Sequence, residues 1–232
     1  LSGQLLGRMQ DIDLPGIKEL MQQAGARESR SWLRPIATSL TSPGGPLIRT
    51  LTGHEKGINS IAITTDGHCI VSASDDWTLK IWDLESGRCI KTLEGHADGV
   101  RAVAPTPDGR LMVSASEDGS LRVWDLVSGR MIKTLEGHAQ CVNAVTLTPD
   151  GRLAVSASVD GILKIWDLES GRDIRTLKAR TVLWTIVLTP EGRQAIFVSR
   201  FGKLRILDLE SGGVAKTLQG HAGAVRAVAL TP

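Results

Sequence analysis

One phrase of residues is written several times along this chain. TLTGH closes at His54 and TLEGH at His96 and again at His138, so these histidines stand 42 residues apart; TLQGH closes at His221, 83 residues on, two periods less one residue. Between the anchors lie SASDDWTLKIWD (72–83), SASEDGSLRVWD (114–125) and SASVDGILKIWD (156–167), then the eroded VSRFGKLRILD (198–208). ESGR or a near variant follows each, at 85–88, 127–130, 169–172 and 210–213. A unit of this length cannot hide its apolar surface alone, so neighbouring copies must cover one another.

Inside a unit the apolar signal comes in short runs, never at a helical 3.6 period. In the second unit GVRAVAP, RLMVSAS, LRVW and RMIKTLEG read as four strands, parted by PDG, EDG and VSG turns whose glycines suit tight reversals. A four-stranded sheet has two faces to bury. Stacking such sheets face to face around an axis closes the array and leaves only short edges, the β-propeller arrangement.

The GH and WD dipeptides at this spacing resemble those of WD-repeat β-propellers, and the resemblance covers roughly residues 46–232. It implies an all-β fold of four complete four-stranded blades, with an outer strand at about 46–52 and the inner strand of a further blade at about 224–230. A ring of seven, commonest in the resembling family, needs roughly a hundred residues beyond Pro232, against the four to eight blades propellers use. The chain, which starts at Leu1 and stops in the middle of a repeat, thus reads as a fragment of such a ring.

Ser, His and Asp recur together, as in a hydrolase triad, but an enzyme needs one such set and this chain repeats it with a tryptophan added. The resemblance implies instead a structural hydrogen-bonded tetrad in each of three blades: His54, Asp76 and Trp82; His96, Asp118 and Trp124; His138, Asp160 and Trp166. A serine completes each set, one of 72 and 74, 114 and 116, or 156 and 158. Orphaning a buried polar group costs about 1–3 kcal/mol, so the members should persist or vanish together. The fourth unit tests this, with Arg180, Phe201 and Leu207 at the His, Asp and Trp positions. Aligning it requires one deleted residue between Leu177 and Gly192, and Trp184 and both phenylalanines fall in it, which suggests apolar packing in place of the polar network. Asp208 is retained with Asp83, Asp125 and Asp167, pointing to a local role in the turn after the third strand.

Ahead of the repeats, residues 1–28 carry helical spacing, with Ile17, Leu20, Met21 and Ala24 on one face, and 31–46 are linker-like in composition, with Trp32 and Leu33 as docking residues. The expected domains are a helical segment and linker over 1–45 and the propeller over 46–232. A short helix and linker leading into near-identical repeats resembles the propeller-bearing ends of bacterial signalling proteins with an NB-ARC or STAND-type NTPase upstream.

With 27 basic and 25 acidic residues, the net charge of +2 draws the chain toward neither nucleic acid nor membrane. Cys69, Cys89 and Cys141 form no CxxC or metal-ligand pattern, and no apolar run reaches the roughly 18 residues a membrane span needs. The expectation is a cytoplasmic protein with no cofactor, no metal and no catalytic residues. Its function reads as a non-catalytic protein–protein interaction scaffold, the sensor or autoinhibitory module of a larger signalling protein, binding protein partners or other domains of its parent. The alternatives are a small-ligand-binding propeller, or nucleic-acid binding through Arg172, Arg175, Lys178, Arg180 and Arg193. The residue after the apolar opener of each inner strand varies between units: Asn59, Arg101, Asn143, Trp184 and Arg226. These, with Trp77 in place of the glycine of sister turns, are the candidate partner-binding residues.

Overall fold

Each repeat folds into one antiparallel sheet because its turn residues fall at fixed offsets between β-branched runs. The computed structural model describes residues 49–179, 181–199, 203–218, 220, 225, 228 and 230. The expected helix, most of the linker, the inner strand at about 224–230, and Arg180, Phe201, His221 and Arg226 lie outside these. The first sheet runs β1 (Ile58–Ile63), β2 (Cys69–Ser74), β3 (Leu79–Asp83), β4 (Cys89–Leu93) and the second β5 (Val100–Pro105), β6 (Leu111–Ser116), β7 (Leu121–Asp125), β8 (Met131–Leu135). The third runs β9 (Val142–Leu147), β10 (Leu153–Ser158), β11 (Ile162–Asp167), β12 (Asp173–Lys178) and the fourth β13 (Leu183–Leu188), β14 (Gln194–Ser199), β15 (Leu204–Asp208), β16 (Val214–Leu218). Spatial order follows chain order in every sheet, so each is a meander of hairpins. These are WD-repeat propeller blades. Arg49 to Thr52, expected as the end of an outer strand, carry no regular structure.

The second strand of each blade is buried on both faces, which explains its small, nearly continuous apolar run: VSAS of β2, β6 and β10 is buried throughout. One rule governs every junction. A forward face of Val71, Ala73, Leu79, Ile81 and Leu93 packs on a backward face of Val100, Val103, Met112 and Trp124. The next junction sets Val113, Ala115, Leu121, Val123 and Leu135 against Val142, Val145, Ala154 and Trp166. The last sets Val155, Ala157, Leu163 and Ile165 against Leu183, Ile186, Ala195, Phe197 and Leu207. Each large apolar side chain buried in this way contributes roughly 1.5–3 kcal/mol. On β1, which has no described blade behind it, Ile58 and Ile61 are 52% and 66% exposed, while their counterparts Val100 and Val103 are buried.

A polar strap reinforces the same junctions. The basic residue before threonine in the first three outer strands caps backbone carbonyls in the following blade's β3–β4-type turn: Lys91 donates to Val127 O, Lys133 to Leu168 O at 3.2 Å and to Glu169 O, Arg175 to Leu209 O at 2.7 Å and to Glu210 O. Those turns are themselves locked by aspartate. The backbone N–H groups of Ser86, Ser128, Ser170 and Ser211 donate to Oδ1 of Asp83, Asp125, Asp167 and Asp208 at 2.6, 2.6, 2.6 and 2.7 Å.

The deletion in the fourth unit falls between β12 and β13. There β12 runs one residue longer than β4 or β8 and Ala179 is buried, its N–H donating to Gly161 O at 2.9 Å.

Candidate partner-binding face

In the first three blades the loop leading into the blade meets the β2–β3-type turn of that blade through four side chains. In the second blade Trp124 Nε1 donates to Ser114 Oγ at 2.8 Å, that oxygen lies 2.7 Å from His96 Nε2, and His96 Nδ1 lies 2.8 Å from Asp118 Oδ2. Directionality follows from the inventory of donors: indole N–H to hydroxyl, hydroxyl to Nε2, and Nδ1–H to carboxylate. The first blade repeats this with Trp82, Ser72, His54 and Asp76 at 2.8, 2.6 and 2.7 Å, and the third with Trp166, Ser156, His138 and Asp160 at 2.8, 2.7 and 3.2 Å. The serine of each pair is therefore 72, 114 and 156. Its neighbours Ser74, Ser116 and Ser158 receive the backbone N–H of the tetrad aspartate at 3.1, 3.1 and 3.2 Å.

Burial by itself would raise the carboxyl groups of Asp76 and Asp118. Hydrogen bonds outweigh it, from Thr78, His54 and Glu55 N–H to the first and from His96, Ser120 and Ala97 N–H to the second, and hold both well below the usual carboxylate range. Burial pushes His138 down, favouring the neutral ring that the directionality requires. The Ser-His-Asp order matches a hydrolase triad, yet each hydroxyl is 0–2% exposed and already holds an indole N–H. No substrate carbonyl can approach these three oxygens.

In the fourth blade the two described positions of the set, those of serine and tryptophan, hold carbon. Register aligns Phe197 of β14 with Ser156 of β10, and Leu207 with Trp166; Phe197 is fully buried and Leu207 nearly so. The apolar replacement was legible in the sequence, but not that Phe197 occupies the serine slot itself, since the serine was undetermined.

The variable inner-strand positions share a backbone cause. Pairing of each inner strand with its neighbour skips one residue, between Ile58 and Ser60, Val100 and Ala102, Val142 and Ala144, and Leu183 and Thr185. Asn59, Arg101, Asn143 and Trp184 are thus the bulged residues, freed from the ladder and re-aimed. Asn59 Nδ2 donates to Asp75 Oδ1 at 2.6 Å and to Val100 O of the next blade at 3.1 Å. Arg101 Nε donates to Glu117 Oε1 at 2.8 Å and its Nη1 reaches Asn59 Oδ1 at 3.2 Å and Asp75 Oδ1 at 3.7 Å. Asn143 Nδ2 donates to Leu183 O at 2.7 Å. So Asn59 and Arg101 are tied into one network, Asn143 spans the third junction, and Trp184 stands 49% exposed. Burial pushes the thiol of nearby Cys141 up to about 11.

Trp77 sits at the same end of the sheets, in the β2–β3 turn, at φ +72°, where the sister turns have Gly119 at +82° and Gly161 at +76°. Among the described residues it is the one non-glycine with positive φ. Its ring is 47% exposed, with Lys56 Nζ 5.7 Å from the ring centroid.

Repeated meander sheets, three Trp-Ser-His-Asp tetrads and a common junction define a WD-repeat protein of the β-propeller class. A family model described as WD domain, G-beta repeat, matches residues 45–83, 87–125 and 129–167, and the chain belongs to that family. It is 39% identical over 77 residues to NACHT domain- and WD repeat-containing protein 1 of Mus musculus, covering 30% of this chain and 5% of that protein. It is 41% identical over 61 residues to vegetative incompatibility protein HET-E-1 of Podospora anserina, covering 26% and 4%. With small ribosomal subunit protein RACK1 of Schizosaccharomyces pombe the identity is 46% over 41 residues, covering 18% and 13%. The matches thus span a small share of each relative's length. Family membership makes the chain an interaction scaffold of the WD-repeat kind.

Proposed function

We propose that the bulged rim, with Asn59, Arg101, Asn143 and Trp184, and the adjoining Trp77 turn form the face by which this chain docks protein, without catalysis, as the sensing or autoinhibitory module of a larger signalling protein. One observation carries the reading: Trp77 is a half-exposed indole held in a backbone conformation that its sister turns give to glycine. A bulky residue in that region costs on the order of 1–3 kcal/mol, and strain of this kind clusters at binding sites. Exposed tryptophan is also the residue most enriched among interface hot spots. The NACHT domain in the name of one relative supports a signalling setting. The nucleic-acid alternative loses Arg175, whose guanidinium is spent on Leu209 and Glu210 carbonyls.

The test is affinity capture in parallel by the parent protein and by a Trp77→Gly, Trp184→Ala variant of equal thermal stability. A protein retained by the first and lost by the second supports docking at this rim. Identical retention by both, or tight, salt-dependent retention of nucleic acid, overturns it.

A further inference from the structure

The opposite end of the sheets, where the β1–β2 and β3–β4 turns lie, holds a second departure from the repeat. Three of the four turns after the third strand place a glutamate beside the serine, Glu85, Glu169 and Glu210; the second places Val127 there. Val127 is 80% exposed, the most exposed of the large apolar residues among those described. An isolated exposed valine means little, but this one stands on the lip of a cleft between the first two blades. Across the junction Ile90 of β4 is 53% exposed, and the floor is Cys69, Ile81 and Leu126. The cleft measures about 360 Å³, at the small end of ligand pockets, which fits one or two side chains better than a cofactor.

Two carboxylates close one side, Asp66 and Asp108. Each accepts the hydroxyl of its turn threonine, Thr64 or Thr106, at 2.6 Å, and these bonds hold both acids below the usual carboxylate range. The one cation of the lining, Lys91, spends its ammonium on the carbonyl of Val127 at the lip. The counterpart cleft between the third and fourth blades repeats the apolar floor with Leu153, Ile165 and Leu209, and the lip with Ile174. It has Glu210 in place of Val127, and Arg193 beside it.

We propose that the cleft between the first and second blades is a second docking site, which takes a leucine-sized apolar side chain of a protein partner with a lysine or arginine beside it. Val127 and Ile90 flank the apolar group, and Asp66 and Asp108 meet the cation. The site is independent of the rim at the other end of the sheets.

The probe is a capped Gly-Lys-Leu-Lys-Gly peptide, titrated into the isotope-labelled full chain with backbone amide shifts as the readout; a Gly-Glu-Leu-Glu-Gly peptide is the control. The amides of Asp66, Ile90, Gly109 and Val127 should move saturably with the first peptide, and the second should bind about tenfold or more weakly, since like charges oppose it. Val127→Glu, which restores the residue of the sister turns, should weaken the lysine peptide by a similar factor with an unchanged melting temperature. The Trp77→Gly, Trp184→Ala variant should bind it as the parent does. Absence of saturable shifts, equal binding of the two peptides, or undiminished binding by V127E overturns the proposal.

Discussion

The Trp124 indole donates to the Ser114 hydroxyl at 2.8 Å, an oxygen that also lies 2.7 Å from His96 Nε2. Ser114 is thus the relay of its blade, and the two nitrogens have no shared substitute when it is removed. Ser114→Ala should destabilise the chain by about 1–3 kcal/mol, the cost of orphaned buried groups. In a double-mutant cycle with Trp124→Phe the two effects should couple by at least about 0.5 kcal/mol. Additive losses in chemical denaturation would falsify the relay.

The fourth blade inverts that logic, because Phe197 fills the relay position with carbon and Leu207 replaces the indole. Installing the family residue there should harm rather than help. Phe197→Ser leaves a cavity and a hydroxyl that faces Leu207 where its sisters have an indole, and should cost at least about 3 kcal/mol, more than Ser156→Ala in the third blade. Equal midpoints for the two variants would count against apolar replacement.

Acid sensitivity follows from the tetrads, and its sign can be worked out. His138 has a lowered pKa in the fold, so between that value and about 6.5 the unfolded chain binds more protons, and stability falls as pH falls through this window. Asp76 and Asp118 are depressed as well; their contribution is present above about 3.9 and is lost as pH falls from there toward their folded values. Melting temperature should therefore decline below about pH 6.5 and again below about pH 4. Replacing His138 with glutamine should flatten the first decline, and a slope unchanged by that replacement would exclude this histidine as its source.

Trp77→Gly should not weaken the fold. Relief of a left-handed tryptophan offsets the roughly 0.5–1 kcal/mol of chain entropy that glycine loses on folding, so the midpoint should hold or rise. A loss above about 1 kcal/mol would mean that the indole serves packing, and would remove the main reason to place a partner there.

Most of the architecture was legible because the repeat prints its own alignment. Strand count, turn positions and the coordinated loss at Leu207 need only comparison between units. What comparison cannot supply is depth. Serines 72 and 74, two apart, share one face of their strand, and only coordinates separate the relay at Ser72 from the loop-binding Ser74. The bulges are hidden for a similar reason: one skipped pairing at Asn59, Arg101, Asn143 and Trp184 leaves no mark beyond variability. The straps of Lys91, Lys133 and Arg175 did leave a mark, the basic residue before threonine in IKTL, IKTL and IRTL, which surface charge disguises. The leading residues, without repetition, offered nothing to compare.

Each described junction joins one kind of forward face to a backward face that is shared by the second and third blades, so these blades are interchangeable. Copying one 42-residue stretch of coding sequence in frame inserts a sheet whose two sides already have matching mates, and excising one removes it as cleanly. Such an array can lengthen or shorten by recombination between near-identical stretches of its gene without having to evolve a new contact, while the bulged positions and the turn at Val127 remain free to diverge.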